Sequence, residues 1–203
     1  AVIPNGIDTN QFYPASRDHA ADTINLLWVG RFVKGKGVEY VVQAMGILVK
    51  ERPNLHLTLV GEGPERGCIR ELIESLGLGD NVSIIDFVPY NKMPGVFQDS
   101  DIFVLPSLHE GVPRTVLEAM SCGLPVVISD FSHLRDLIDG GGLMFPKKDV
   151  QALVDNLRIL ISDDDKRAKM GQKAREKIVR EYSWERTVAG TLQLYQEVVS
   201  SAN

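Results

Sequence analysis

The chain has 203 residues, 44% of them hydrophobic, which fits one domain with a full core. Its 22 Lys and Arg against 27 Asp and Glu leave a formal charge of −5, which argues against nucleic acid and anionic membrane as partners, since both attract a basic face. Two cysteines, Cys68 and Cys122, are too few for a disulfide framework and are expected as small buried apolar residues.

The opening, residues 1–21, is polar and broken by Pro4, Asn5-Gly6 and Pro14, and reads as a linker or turn-rich arm. It does not read as a signal peptide, and no apolar run nears the ~20 residues of a membrane helix. A start at Ala1 rather than Met reads as an excised piece. Strands and helices then alternate. A buried strand is expected over 24–29, then a helix over 37–50 with apolar residues at helical spacing, such as Val38, Val41, Val42 and Met45. A strand over 55–60 leads through Gly61-Glu62-Gly63-Pro64 into a helix from Pro64 to Leu76. A third strand covers 82–87, a short helix 94–98 and a fourth strand 102–105. A helix over 112–122, a strand over 124–129 and a short strand at 143–145 come next. Three helices, 150–161, 164–180 and 184–199, end the chain, with Asp163-Asp164-Asp165 as a helix start or a solvated turn. This alternation predicts an α/β fold: a single doubly wound, Rossmann-like domain with a mainly parallel sheet.

In such sheets ligands bind at the carboxyl ends of the strands, so the chemistry is sought in the loop after each strand. Gly30-Arg31 with Lys36 places two cations in a glycine-rich loop suited to an anion. Gly35-Lys36-Gly37 lacks the Ser or Thr that would hold magnesium, and GxGxxG is absent, so neither a Walker loop nor NAD or FAD binding is supported. Phe87-Val88-Pro89-Tyr90 offers backbone groups and an apolar surface to a flat base, though an ordinary strand end explains it too. Glu110 and Glu118 bracket a loop-to-helix junction whose free N–H groups suit a phosphate and whose acids suit hydroxyls. Glu118 lies among Val116, Leu117, Ala119 and Met120, where a charge wants a partner. Asp130, His133 and Asp136 match no strict ligand spacing, so no metal is expected.

Together these strings resemble the C-terminal, donor-nucleotide-binding domain of a family 4 glycosyltransferase of the GT-B fold. The likeness runs from Val2-Ile3-Pro4-Asn5-Gly6-Ile7-Asp8, through Val29-Gly30-Arg31-Phe32 to Lys36-Gly37 and Leu59-Val60-Gly61-Glu62-Gly63-Pro64, to the E-x7-E signature from Glu110 to Glu118 and its continuation Ala119-Met120-Ser121-Cys122-Gly123-Leu124-Pro125. Tyr182-Ser183-Trp184-Glu185-Arg186 resembles the start of the family's closing helix. The resemblance implies an arm at 1–21, a nucleotide-sugar-binding domain at 22–182 and a closing helix at 183–203, with the N-terminal acceptor domain absent from this chain.

It further implies a retaining transferase that takes a nucleoside-diphosphate sugar as donor and needs no tightly bound cofactor or metal. Arg31 and Lys36 would hold the diphosphate and, with Glu110, carry the chemistry, Glu110 contacting the donor sugar. Glu118 would bind the ribose. Gly30 belongs to the diphosphate loop. Gly111, Arg114 and Thr115 would meet sugar and phosphate, and Val88 with Tyr90 would pack on the base. Tyr90 gives no carboxylate to a guanine edge, which favours UDP.

Three departures stand out. Pro113 replaces a common Gly, Phe131-Ser132-His133 replaces a glycine pair, and Asp136 replaces Glu, so the loop near the donor sugar is expected to be reshaped. A cytoplasmic protein is implied, touching a membrane peripherally only through the missing domain. A non-catalytic nucleotide-binding module and a nucleotide-sugar epimerase of the same fold are the alternatives.

Overall fold

The computed structural model describes residues 3–15 and 23–201. Six strands, β1 (Ile24–Val29), β2 (Leu55–Val60), β3 (Val82–Ile85), β4 (Ile102–Leu105), β5 (Val126–Ser129) and β6 (Gly142–Phe145), form one sheet in the order β3-β2-β1-β4-β5-β6. All five pairings are parallel. Parallel neighbours need crossovers, which carry helices over the two faces. These are α1 (Val38–Glu51), α2 (Arg66–Ser75), α3 (Met93–Gln98), α4 (Arg114–Ser121), α5 (Arg135–Ile138), α6 (Val150–Ile161), α7 (Asp164–Glu181) and α8 (Trp184–Ser201).

Side chains alternate across the strands, and the core divides accordingly. Leu26 and Trp28 of β1, with Ile102 and Val104 of β4, face α1, α2 and α6. Leu27, Phe103 and Leu105 face the other way, into a cluster built with α3, α4, α5 and α7. The central strands are buried on both faces, which explains their continuous apolar sequence.

The boundaries differ from expectation where pairing or proline decides. β3 stops at Ile85 rather than Phe87, because its one partner ends at Val60, opposite Ile85. Phe87, with no strand beside it, is 72% exposed. Helix α4 starts at Arg114, not Val112: Pro113 is extended at its N-terminus (φ −70, ψ 118), and a residue before proline is biased away from the helix. α2 begins at Arg66, two residues past Pro64, and β5 at Val126. Helix α5 and the 3-10 turn Ser132–Leu134 before it were not expected. Asp163 does start α7, its side chain accepting from the Lys166 N–H at 2.8 Å. Cys68 corrects the expectation of two buried thiols: α2 buries Ile69 and Ile73, and Cys68 is exposed, while Cys122 is buried.

Of the arm expected over 1–21, residues 1–2 and 16–21 lie outside the described residues. Within 3–15 it is anchored by Ile7 and Phe12, both buried. The Ile7 N–H donates to the Tyr182 carbonyl (2.8 Å), and the Trp184 N–H donates to the Ile7 carbonyl (3.0 Å). The Phe12 carbonyl accepts from Ser121 (2.7 Å) and Arg175 (2.8 Å). Helix α8 buries no residue. Among the described residues no helix is long and apolar enough to cross a membrane.

If Phe12 is part of the core rather than of a tether, Phe12→Ala lowers unfolding free energy by ~3–5 kcal/mol. Tyr13→Ala, at a half-exposed neighbour, changes it by no more than about 0.5 kcal/mol. Urea denaturation of both variants reads the contrast; equal small losses contradict the anchoring.

Candidate functional site

The pairing of β1 with β4 brings the loop after each strand to the same carboxyl rim. The order of the strands reverses there, with β2 and β3 on one side of β1 and β4, β5 and β6 on the other, so the loops splay and leave a crevice. Close backbone approaches lock the loops. Gly61 takes φ +140, and a Cβ on it would strike the Gly30 carbonyl oxygen. Gly37 takes φ +62, and a Cβ there would strike the Pro106 carbonyl. Only glycine combines that backbone with that proximity. The Phe32 N–H donates to the Glu62 carbonyl (2.8 Å), and the Leu108 N–H to the Gly35 carbonyl (2.8 Å).

Two sequence-predicted residues meet directly. Lys36 Nζ donates to Glu110 Oε1 at 2.6 Å, with Glu110 the more buried partner. Lys36 sits in the 3-10 turn Lys34–Lys36 ahead of α1, while Glu110 leads toward α4. The pair therefore ties the β1 loop to the β4 loop. Arg31 is exposed and makes no side-chain hydrogen bond or ion pair among the described residues.

A second cluster surrounds Glu118, which is 4% exposed on α4. Arg114, one turn earlier, approaches Glu118 Oε1 with Nε at 3.2 Å. Arg114 Nη2 also donates to the Tyr90 hydroxyl at 2.6 Å, and its guanidinium lies 4.7 Å over the Tyr90 ring. Arg114 thus bridges the Tyr90 hydroxyl and the Glu118 carboxylate. Burial pushes the Glu118 carboxyl up to about 7, and Arg114 and Tyr90 oppose that rise. The Tyr90 phenol is raised by burial and by the Glu118 charge.

The remaining predicted residues frame these clusters. Gly30 donates its N–H to the Val60 carbonyl at 3.0 Å. Val88 is half-buried beside Tyr90 in sequence, Gly111 is exposed, and Thr115 is half-buried in the first turn of α4. No side chain caps that helix; the Val116 and Leu117 N–H groups donate to the Pro113 carbonyl, which leaves the Arg114 and Thr115 N–H groups at its open end. The reshaped β5 loop reaches the Glu110 loop: His133 Nε2 lies 2.9 Å from the Gly111 carbonyl. Asp130 pairs with Arg135 (2.8 Å) and Asp136 with Lys177 (3.3 Å).

Sequence reasoning missed the Tyr90 hydroxyl, the His133 tie and two buried hydroxyls, Ser107 after β4 and Ser129 at the end of β5, which have no hydrogen-bond partner among the described residues. Their position at strand ends is the signal that could have found them. A cleft of about 510 Å³ opens at the opposite rim, lined by Pro14, Thr23, Asp101, Pro125 and Asp164 among others; none of Arg31, Lys36, Tyr90, Glu110, Arg114 and Glu118 lines it.

The family described as Glycosyl transferases group 1 matches residues 10–177. The D-inositol 3-phosphate glycosyltransferase of Corynebacterium urealyticum is 30% identical over 98% of this chain and 51% of its own length. Among solved structures, the sucrose-phosphate synthase of Thermosynechococcus elongatus superposes with a TM-score of 0.87 at 28% identity, over 98% of this chain and 52% of that one. The C-terminal domain of a glycosyl transferase group 1 family protein (LpcC) from Francisella tularensis gives 0.80 at 27% identity, over 88% of this chain and 100% of that one. The chain thus spans about half the length of the curated relatives it matches.

The Glu118 environment has a consequence for stability. An acid that holds its proton more tightly folded than unfolded adds stability that is fully present below its ordinary value of 4.5 and lost as pH rises to about 7. Glu118→Gln keeps the neutral shape at every pH, so its stability relative to wild type climbs across that window and levels off above it. Urea midpoints from about pH 4 to 8 test this; a difference independent of pH contradicts it.

Proposed function

The chain belongs to the glycosyl transferases group 1 family, and on that premise we propose that it is the donor-binding part of a retaining glycosyltransferase. The donor is a nucleoside-diphosphate sugar, with UDP the favoured nucleotide. The observation that carries the reading is the gathering of Lys36, Glu110, Arg114, Tyr90 and Glu118 around the N-terminus of α4 at the carboxyl rim of the sheet.

Each group has a task its chemistry suits. Arg31, exposed at the mouth of the β1 loop, and Lys36 take the diphosphate oxygens, Arg by a bidentate fork and Lys as a point charge. The first-turn amides of α4, with Arg114 and Thr115, add donors where the anion lies. Glu118 accepts the ribose hydroxyls, and Val88 with Tyr90 lies against the base. Glu110, held by Lys36, contacts the donor sugar and aligns the leaving group. As the bond from sugar to diphosphate breaks, charge grows on the diphosphate oxygen. Preorganised cations and amides stabilise that charge, so no metal is needed. Tyr90 presents a hydroxyl and a ring rather than a carboxylate, which does not serve a guanine edge and supports UDP over GDP.

The acceptor site belongs to a further domain. The family relatives are about twice as long as this chain. Helix α8 supports a docking role toward that domain: Trp184, Val188, Leu192 and Tyr195 recur at helical spacing and each is more than half exposed. Alone, the chain binds nucleotide and transfers no sugar.

Calorimetric titration with UDP, GDP, ADP and their sugar conjugates tests the proposal. UDP binds tightest. Arg31→Ala and Lys36→Ala each weaken UDP by about tenfold or more, the size of a lost hydrogen bond to a charged group, and weaken UMP less. Unchanged UDP affinity in Arg31→Ala contradicts the diphosphate role, and sugar transfer by the chain alone contradicts the assignment of the acceptor site.

A further inference from the structure

The turn after β5 holds one side chain against the loop after β4. Phe131 and Leu134, on either side of His133 in the 3-10 turn, are both buried. The Leu134 N–H donates to the Phe131 carbonyl (2.9 Å), and the Asp130 N–H donates to the Phe145 carbonyl of β6 (2.7 Å). Arg135 Nη2 grips Asp130 from beyond the turn at 2.8 Å. The Phe131 ring carries Lys147 Nζ at 4.2 Å from its centroid, and the His133 ring lies 5.8 Å away, tilted 57°. From this frame His133 Nε2 reaches the Gly111 carbonyl at 2.9 Å. A carbonyl only accepts, so Nε2 carries the proton in this contact, whether the imidazole is neutral or charged.

That contact meets a loop already held from its other side, because β4 lies between β1 and β5. Lys36, from the β1 loop, bonds the Glu110 carboxylate; His133, from the β5 loop, bonds the carbonyl of the next residue. A trans peptide points its N–H opposite to its C=O. With the Gly111 carbonyl turned to the β5 loop, the Val112 N–H turns away from that loop. Pro113 has no N–H to offer, so Val112 carries the amide that His133 orients. Gly111 itself is not required by the fold: its backbone lies outside the left-handed region, and a Cβ on it would meet no atom within 4 Å. The space beside it is open.

We propose, on the reading of Glu110 as the sugar contact, that His133 is a positioning residue which sets the Glu110–Gly111 segment for the sugar of the donor. Lys36 holds a side chain and leaves the neighbouring backbone free to turn. His133 holds that backbone, so the Glu110 carboxylate and the Val112 amide face a ligand in one fixed relation, with the open space beside Gly111 taking the sugar ring. His133 acts through Gly111 and does not itself touch the donor. Such preorganisation lowers the cost of ordering the loop on binding.

The test is calorimetry with whichever of UDP, GDP and ADP binds tightest, and with the tightest-binding of its glucose, galactose and mannose conjugates. His133→Phe keeps a ring on Phe131 and removes the donor. His133→Gln removes the ring and keeps an N–H at similar reach. His133→Phe weakens the sugar conjugate about threefold to tenfold, the size of one hydrogen bond, while the free nucleotide stays within about twofold. His133→Gln follows wild type.

If His133→Phe keeps the wild-type ratio of the two affinities while Glu110→Ala loses it, the Glu110 reading stands and the role of His133 is overturned. If Glu110→Ala keeps the ratio, or none of the three nucleotides binds, both fall. An equal loss in His133→Gln and His133→Phe assigns the effect to the ring, and an equal loss for the free nucleotide assigns it to the fold; either overturns the inference. A ligand-free measurement checks the same contact. The Gly111 carbonyl carbon, observed by NMR, moves upfield in His133→Phe and stays near its wild-type position in His133→Gln. Movement in both variants, or in neither, overturns the inference.

Discussion

The site depends on the pairing of β1 with β4. Leu26 lies opposite Ile102 and Leu27 opposite Phe103, so two strands far apart in sequence become neighbours at the centre of the sheet. Both are buried on both faces, and their apolar side chains feed the clusters above and below. That burial fixes register, because a one-residue slip would exchange the two faces. With register fixed, Gly30–Gly37 and Pro106–Pro113 emerge side by side, and Gly37 passes against the Pro106 carbonyl. The Lys36–Glu110 bond and the Leu108-to-Gly35 bond are consequences of that neighbourhood.

Charge in the crevice is arranged in compensated pairs. Lys36 meets Glu110, and Arg114 meets Glu118. Such pairs settle side chains in place and limit the cost of burying an isolated charge. Glu118 shows how far this goes: burial raises its carboxyl despite the Arg114 guanidinium beside it. Arg31, by contrast, is exposed and without an ion-pair partner among the described residues. A buried, partly compensated acid and an exposed cation at one rim suit a ligand that brings hydroxyls and an anion together.

Much of this was legible in the sequence because strong local signals agreed with the fold. The runs at 24–29, 55–60 and 102–105 are apolar and short, and each is the observed strand. The helix expected over 112–122 placed Glu118 on a helix and Glu110 ahead of it, as observed. Other features depend on contacts between distant residues. Sequence gives no warning that β3 ends where β2 does, nor that Lys36 and Glu110 bond across the rim. Phe12 sits in a polar, proline-broken stretch and reads as linker, yet it is held by Ser121 and Arg175, far along the chain. Cys68 reads as apolar, and only the inward set of α2, defined by Ile69 and Ile73, turns it to solvent.

The central claim is that the anion site lies at the carboxyl rim, although a cleft of about 510 Å³ opens at the other end of the sheet. Backbone amide chemical shifts recorded while UDP is added test it most directly. The account predicts that the amides of Arg31, Lys36, Gly111 and Thr115 move together while those of Arg52, Asp101 and Arg167, which line the opposite cleft, stay still. Movement confined to Arg52, Asp101 and Arg167 would contradict it.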